Sequence, residues 1–218
     1  MTTQTASYLD AIAYLPAGAT LILTEVPWKE YEQLLDDLGN SPGVRVSYDC
    51  GRLEIMSPSS SHEMFKDLLQ DLARIAAEST GVDLESRGST TFKQEQIAMG
   101  AEPDTCFYVQ NAPRIIGKRE IDLSVDPPPD VIVEIDVSRD SRKKFDFYRI
   151  IGVPELWRYD EHLAHIYRLT EEGYGEVSIS HVLPLFTNEV LSRFLEQSKL
   201  EGQSATLRSF RDWLRTLR

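Results

Sequence analysis

A chain of 218 residues, 41% hydrophobic and 27% charged, carries enough apolar material for a proper globular core and suits one domain, or one domain with appended helices. Its formal net charge of −12 counts against strong non-specific nucleic-acid binding, without excluding a local basic patch, and suits a site crowded with carboxylates that a divalent cation would neutralise. No apolar run is long enough to cross a bilayer, the start MTTQTASYLD lacks a basic region ahead of an apolar one, and the distant Cys50 and Cys106 form no Cys-x-x-Cys motif, so a reduced, cytoplasmic protein with no membrane partner is expected.

No internal repeat or low-complexity linker interrupts the chain. Residues 1–20 are weakly patterned, with a turn at Pro16-Ala-Gly18. Thr24 is placed to cap a helix from about Pro27 to Leu38, with Pro27 suited to its first turn. Asn40-Ser-Pro-Gly43 breaks the chain. Val44–Tyr48 and Arg52–Met56 read as a hairpin around Asp49-Cys50-Gly51. Ser60 and Glu63 have capping-box spacing, and Phe65, Leu68, Leu69, Leu72 and Ala76 form one apolar stripe, which predicts a helix to about Ser79, ended by Gly81. Val82–Ser86 reads as a strand, Thr90–Phe92 as an extension of the sheet, and Pro103–Val109 as the next strand.

Residues 110–128 form a long polar connection, and Asp130–Val137 reads as a buried, β-branched central strand. A short helix over 141–151, a strand over Pro154–Tyr159 and a second strand over His162–Leu169 follow, with a turn at Gly173-Tyr-Gly175. From Asn188 the tail is helical in two pieces split by Gly202. The terminal stripe of Leu207, Phe210, Trp213, Leu214 and Leu217 suits docking on the domain or on a second subunit, which leaves a homodimer open. The fold class expected is α/β, with a central mixed β-sheet flanked by helices.

Chemistry concentrates on the acidic strand. Strict alternation puts Asp130, Ile132, Glu134 and Asp136 on one face and Val131, Val133, Ile135 and Val137 on the other. Carboxylates on a buried strand are costly unless they are paired or bind a cation. Asp104 begins one strand and Glu134 lies inside the next, with Asp136 roughly 6–7 Å further along the same face. Hard oxygen ligands from neighbouring strands suit Mg²⁺, with Mn²⁺ as a substitute, and such an ion activates water and stabilises charge on a phosphodiester. Asp140, Lys144 and Tyr148 are spaced i, i+4, i+8, so Lys144 can point back toward the acidic cluster.

Each of these residues has a plainer alternative. Asp104 could be a strand-start aspartate after proline, Glu134 a buried ion pair, Asp136 a cap or partner at the strand's end, and Lys144 part of a solvated basic run. Asp130, at the strand entrance, suits a turn or edge role better than a ligand role. Glu54 and His62 are possible additional site residues, the first against a surface glutamate and the second against a capping or surface histidine. His162 and His165, on a strand, point to opposite faces and do not make a joint metal site. Tyr148 and Trp157 suit the core better than base stacking.

Pro103-Asp104 followed by Glu134-Ile-Asp136 resembles the PD-(D/E)XK nuclease superfamily, with its restriction-endonuclease-like fold. Five ordered segments narrow the resemblance to the Uma-type family of restriction-endonuclease-like proteins. These are Gly51-Arg-Leu-Glu-Ile-Met-Ser-Pro58 with His62, Pro129-Asp130-Val-Ile-Val-Glu134, Lys144 with Tyr148, Gly152-Val-Pro-Glu-Leu-Trp157, and Asp160. The likeness spans about residues 25–190. It implies a restriction-endonuclease-like domain over residues 1–190, including the N-terminal helix and hairpin, and a C-terminal helical extension over 191–218. It further implies a metal-dependent endonuclease acting on DNA, with Asp104 and Glu134 as ligands, Asp136 assisting and Lys144 in the catalytic set. The superfamily motif places a lysine where this chain has Asp136, and Lys144 is the candidate to supply that charge. The rival reading is an inactive nuclease-fold protein that binds nucleic acid or a partner.

Overall fold

The structure, a computed structural model, describes residues 3–39, 43–137 and 140–217. The break expected at Asn40-Ser-Pro-Gly43 falls on residues 40–42, outside the described residues, up to Gly43. In chain order the elements begin with α1 (Thr3–Ala13), β1 (Thr20–Leu23), α2 (Trp28–Leu38), β2 (Arg45–Asp49), β3 (Arg52–Met56), α3 (Ser60–Thr80), β4 (Glu85–Ser86), β5 (Phe92–Gln94), β6 (Met99–Ala101) and β7 (Thr105–Tyr108). They continue with α4 (Ala112–Ile115), β8 (Val131–Ile135), a 3₁₀ turn (Ser141–Lys144), α5 (Phe145–Ile150), β9 (Glu155–Tyr159), β10 (Ala164–Thr170), β11 (Gly173–Val177), α6 (Asn188–Glu201) and α7 (Gln203–Thr216). Among the described residues no helix is long and apolar enough to cross a membrane. Two compact units form, Met1–Ser60 with Thr91–Glu102, and Ser61–Thr90 with Pro103–Arg218.

The first unit is built on an antiparallel sheet of order β1-β3-β2-β6-β5. The β2–β3 hairpin closes through Cys50 and Gly51, whose φ values of 46° and 95° are both left-handed, as a two-residue turn between right-twisted strands requires. Tyr31 of α2 stacks on Tyr48 at 4.7 Å, and Trp28 meets both rings edge-on. A Cβ on Gly100 would come within 2.3 Å of the Tyr31 hydroxyl oxygen, so only glycine lets β6 pass this ring. Gly100→Ala should lower stability by about 1–3 kcal/mol through overpacking. Denaturant unfolding measures this, and an unchanged midpoint would mean that the Tyr31 ring yields at no cost.

The second unit carries a mixed sheet of order β11-β10-β9-β8-β7-β4, in which β8 and β9 run parallel and the other pairs antiparallel. Val131, Val133 and Ile135 of β8 join one apolar core with Phe65, Leu68 and Leu72 of α3 and with Phe194 and Phe210 of α6 and α7. The 3.6-residue stripe of α3 and the two-residue alternation of β8 meet on this face. Residues 191–214 thus contribute core side chains to the second unit.

Several local expectations need correction. The α2 helix is capped by Pro27 with no side-chain bond, so Thr24 plays no capping part. Residues 1–20 hold α1, although their apolar spacing is weak. The strand expected at Val82–Ser86 shrinks to Glu85–Ser86, while Phe92–Gln94 pairs with β6 in the first unit's sheet. Gly173-Tyr-Gly175 is strand, not turn. Thr170 pairs with Gly173 around Glu171-Glu172, and Tyr174 is drawn into the sheet by donating to the Val153 carbonyl at 2.7 Å and packing on Phe145.

Candidate active site

The β7–β8 register pairs Thr105 with Val133 and Cys106 with Ile132. One more step sets Asp104 opposite Glu134, and β8–β9 pairing sets Glu134 beside Arg158. Opposite residues share a face. Asp104, Glu134 and Arg158 therefore form one row across three strands, on the face of β8 opposite its apolar core side. The alternation that buries Val133 and Ile135 in the core delivers Glu134 to the other surface.

Asp104 is buried and gripped through one oxygen. Its Oδ2 accepts from the Ile135 amide at 2.7 Å and lies 3.0 Å from Nε2 of His62, in the first turn of α3. Oδ1 is buried and, among the described residues, has no hydrogen-bond partner. Burial opposes ionisation of Asp104, yet the His62 contact, Lys144 and the Ile135 amide outweigh it and hold the carboxyl below its usual range. His62 shows the complement. Burial disfavours its charge, but Asp104 and Glu63 lift its pKa to about 9, so at neutral pH it is an imidazolium against a carboxylate.

Glu134 behaves differently. Lys144 Nζ lies 3.0 and 2.9 Å from its two oxygens, and the Tyr148 hydroxyl donates to Oε1 at 2.5 Å. Burial pushes its pKa up to about 7, Lys144 opposes the rise, and the neighbouring Asp104 charge adds to it. The expected i, i+4 relation of Lys144 and Tyr148 is borne out across the 3₁₀–α junction, and both reach the same carboxylate. Asp140 leaves that set. It caps the 3₁₀ turn through the Arg142 amide and pairs with the Arg142 guanidinium.

The expected trio of carboxylates is not a common cage: among the described residues no three His, Cys, Asp or Glu side chains are grouped to hold a metal ion. Asp136 lies one residue past the end of β8, and its oxygens accept from the Ser141 amide and hydroxyl and from Arg158 Nε. Asp130 is a clamp, as its edge position suggests, accepting from the Val109 amide and from the Asn111 amide and side chain. Glu54 sits in the first unit on β3, 2.8 Å from Arg52. His162 precedes β10, whereas His165 lies on it, between Asp160 and Glu176. Trp157 is core, as expected.

Two residues around this site escape a reading by motif. Arg158 gives no signal in its own neighbourhood and becomes visible only through the parallel register that sets it beside Glu134. Ser141 looks like an ordinary helix-start serine until Asp136 is seen to hold it. Tyr148 carries a hydroxyl bonded to Glu134 as well as a buried ring.

Mixed sheet, flanking helices and the acidic row between two adjacent strands together define a restriction-endonuclease-like fold. The chain belongs to the Uma2 family, described as "Putative restriction endonuclease", whose model matches residues 28–200. Among solved structures it is similar to "a putative nuclease belonging to DUF820" from Anabaena variabilis, at 14% identity and a TM-score of 0.55, over 78% of this chain and 99% of that one. That likeness is one of fold. No curated protein matches the chain.

Proposed function

We propose that the second unit is a metal-dependent endonuclease hydrolysing phosphodiester bonds in DNA, with Asp104 and Glu134 as the ligands of a Mg²⁺ ion for which Mn²⁺ substitutes. The observation that carries this reading is the buried Asp104 Oδ1, which has no hydrogen-bond partner among the described residues, on the residue opposite a Glu134 whose charge is disfavoured. A divalent cation offsets both costs at once. The donor set fits, because Mg²⁺ takes one or two carboxylates and fills its remaining positions with water and phosphate. Held there, the ion supplies a more acidic water and a counter-charge for the phosphodiester.

The chain's own groups divide the remaining work. His62 keeps Asp104 ionised and fixes its orientation, leaving Oδ1 available. Tyr148 steers the Glu134 carboxylate by its hydroxyl. Lys144 brings a cation to the row from the helix rather than from strand position 136, where it orients the attacking water and meets charge developing on the phosphate. The free thiols Cys50 and Cys106 suit a reducing, cytoplasmic setting.

The test is titration calorimetry with Mn²⁺ beside Mg²⁺-dependent cleavage of plasmid DNA. Asp104→Asn and Glu134→Gln should each abolish both. Robust cleavage by the Asp104→Ala, Glu134→Ala double variant would sink the proposal. A second reading, a non-catalytic protein on the same fold, is favoured by one observation: both Glu134 oxygens are already engaged by Lys144 and Tyr148. Absence of Glu134-dependent Mn²⁺ binding in the wild type selects that reading.

A further inference from the structure

Asp136 stands where a superfamily motif carries its lysine, and it is buried, with ordinary hydrogen-bonding partners on every side. We infer that Asp136 and Arg158 are positioning residues, which together hold the 3₁₀ turn so that Lys144 is delivered to Glu134. The inference rests on the proposed reading of Glu134 and Lys144 as working parts of the site.

The tether begins in the sheet. The Asp136 amide donates to the Tyr159 carbonyl at 2.7 Å, so β9 fixes the backbone one residue past the end of β8. The Arg158 guanidinium, on the adjacent strand, fixes the side chain by donating from Nε to Oδ2 at 2.5 Å. Arg158 is paired in turn, with Nη1 3.6 Å from Asp160 Oδ2. The carboxylate so held accepts the Ser141 amide at 3.1 Å to each oxygen and the Ser141 hydroxyl at 3.2 Å.

Ser141 is the first residue of the turn and Lys144 its last. A 3₁₀ helix has three residues per turn, so side chains at i and i+3 project from the same side. Fixing Ser141 on the sheet therefore fixes the direction in which Lys144 leaves the turn. Both side chains are buried, while Lys143 between them is exposed. A charge-assisted bond to a backbone amide is also stronger than a neutral one, which suits a tether. The carboxylate at the vacated lysine position is thus what makes a lysine from the helix usable.

Lys144 reactivity reports this directly. Wild type, Asp136→Ala and Arg158→Met are briefly acetylated with N-hydroxysuccinimidyl acetate, and Lys144 labelling is measured by mass spectrometry relative to Lys143. In Asp136→Ala the ratio should rise about tenfold or more, as the turn opens locally while the rest of the unit holds. An unchanged ratio in both variants overturns the inference. If every lysine gains reactivity in Asp136→Ala, that variant has lost its fold, and Arg158→Met decides by the same ratio. In the cleavage assay the variants should lose up to about 10²-fold in kcat with KM for DNA little changed, as for a displaced catalytic group. Failure of the wild type to bind Mn²⁺ or to cleave sinks the nuclease reading and leaves the labelling ratio to judge the tether alone.

Discussion

Lys144→Met is expected to cost about 3–5 kcal/mol of folding stability at pH 8, the range for breaking a buried ion pair by removing one partner, and far less at pH 5. Burial already raises Glu134 to a pKa of about 7, and Lys144 opposes the rise most, with help from the Tyr148 hydroxyl. Without the ammonium, the folded-state value moves further above the unfolded one, which is about 4.3. A carboxyl raised in this way contributes its stability at low pH and loses it as pH climbs. The folded protein then keeps a proton that the unfolded chain has released. At pH 5 Glu134 in the variant is neutral and no buried charge is orphaned; at pH 8 that protonation works against folding. Urea unfolding at the two pH values measures the difference, and equal losses at both would show that Lys144 contributes packing alone. Adding Glu134→Gln should recover most of the loss at pH 8, because no charge is then buried alone.

The second large effect concerns the tail. Phe210→Ala should cost about 3–5 kcal/mol, the range for emptying a buried aromatic site, and lower Tm by roughly 10 °C. Phe210 is fully buried, with Phe186 at 5.9 Å, Phe194 at 4.9 Å and Trp213 at 5.5 Å between ring centroids. Arg208→Ala on the exposed side of the same helix should stay within about 0.5 kcal/mol. Thermal unfolding of the two variants compares them directly, and equal, small losses would mean that α7 rests on the unit without supporting it.

How much of this was legible in the sequence depended on whether the determining interaction was local. The stripe of α3, the alternation of β8 and the split of the tail at Gly202 all follow from short-range periodicity, and the structure has each of them. Glu134 was visible because a carboxylate inside a β-branched run is an energetic anomaly in its own neighbourhood, and Asp104 because the Pro103-Asp104 step begins a strand. Lys144 and Tyr148 were visible as an i, i+4 pair. Asp136 misled because alternation gives its face but not where its strand stops. β8 ends at Ile135, and the carboxylate just past it is taken by Ser141 and Arg158. Arg158 was silent because its meaning comes from a register between strands some twenty residues apart in sequence. The turn at Glu171-Glu172 was hidden by two glycines that lie on the strand beside it.

The parallel pairing of β8 with β9, in a sheet otherwise antiparallel, has a consequence for how such chains are recognised. Two strands that run the same way need a connection that returns from the end of one to the start of the other, and here that connection carries Lys144 back past Glu134. A charge can then change its address along the chain while keeping its address in space. Substitution of the motif lysine need not remove the chemistry, provided that the residue taking its place secures the returning segment. Relatives would therefore be found more surely by asking which side chains meet around the acidic row than by matching a fixed string of letters.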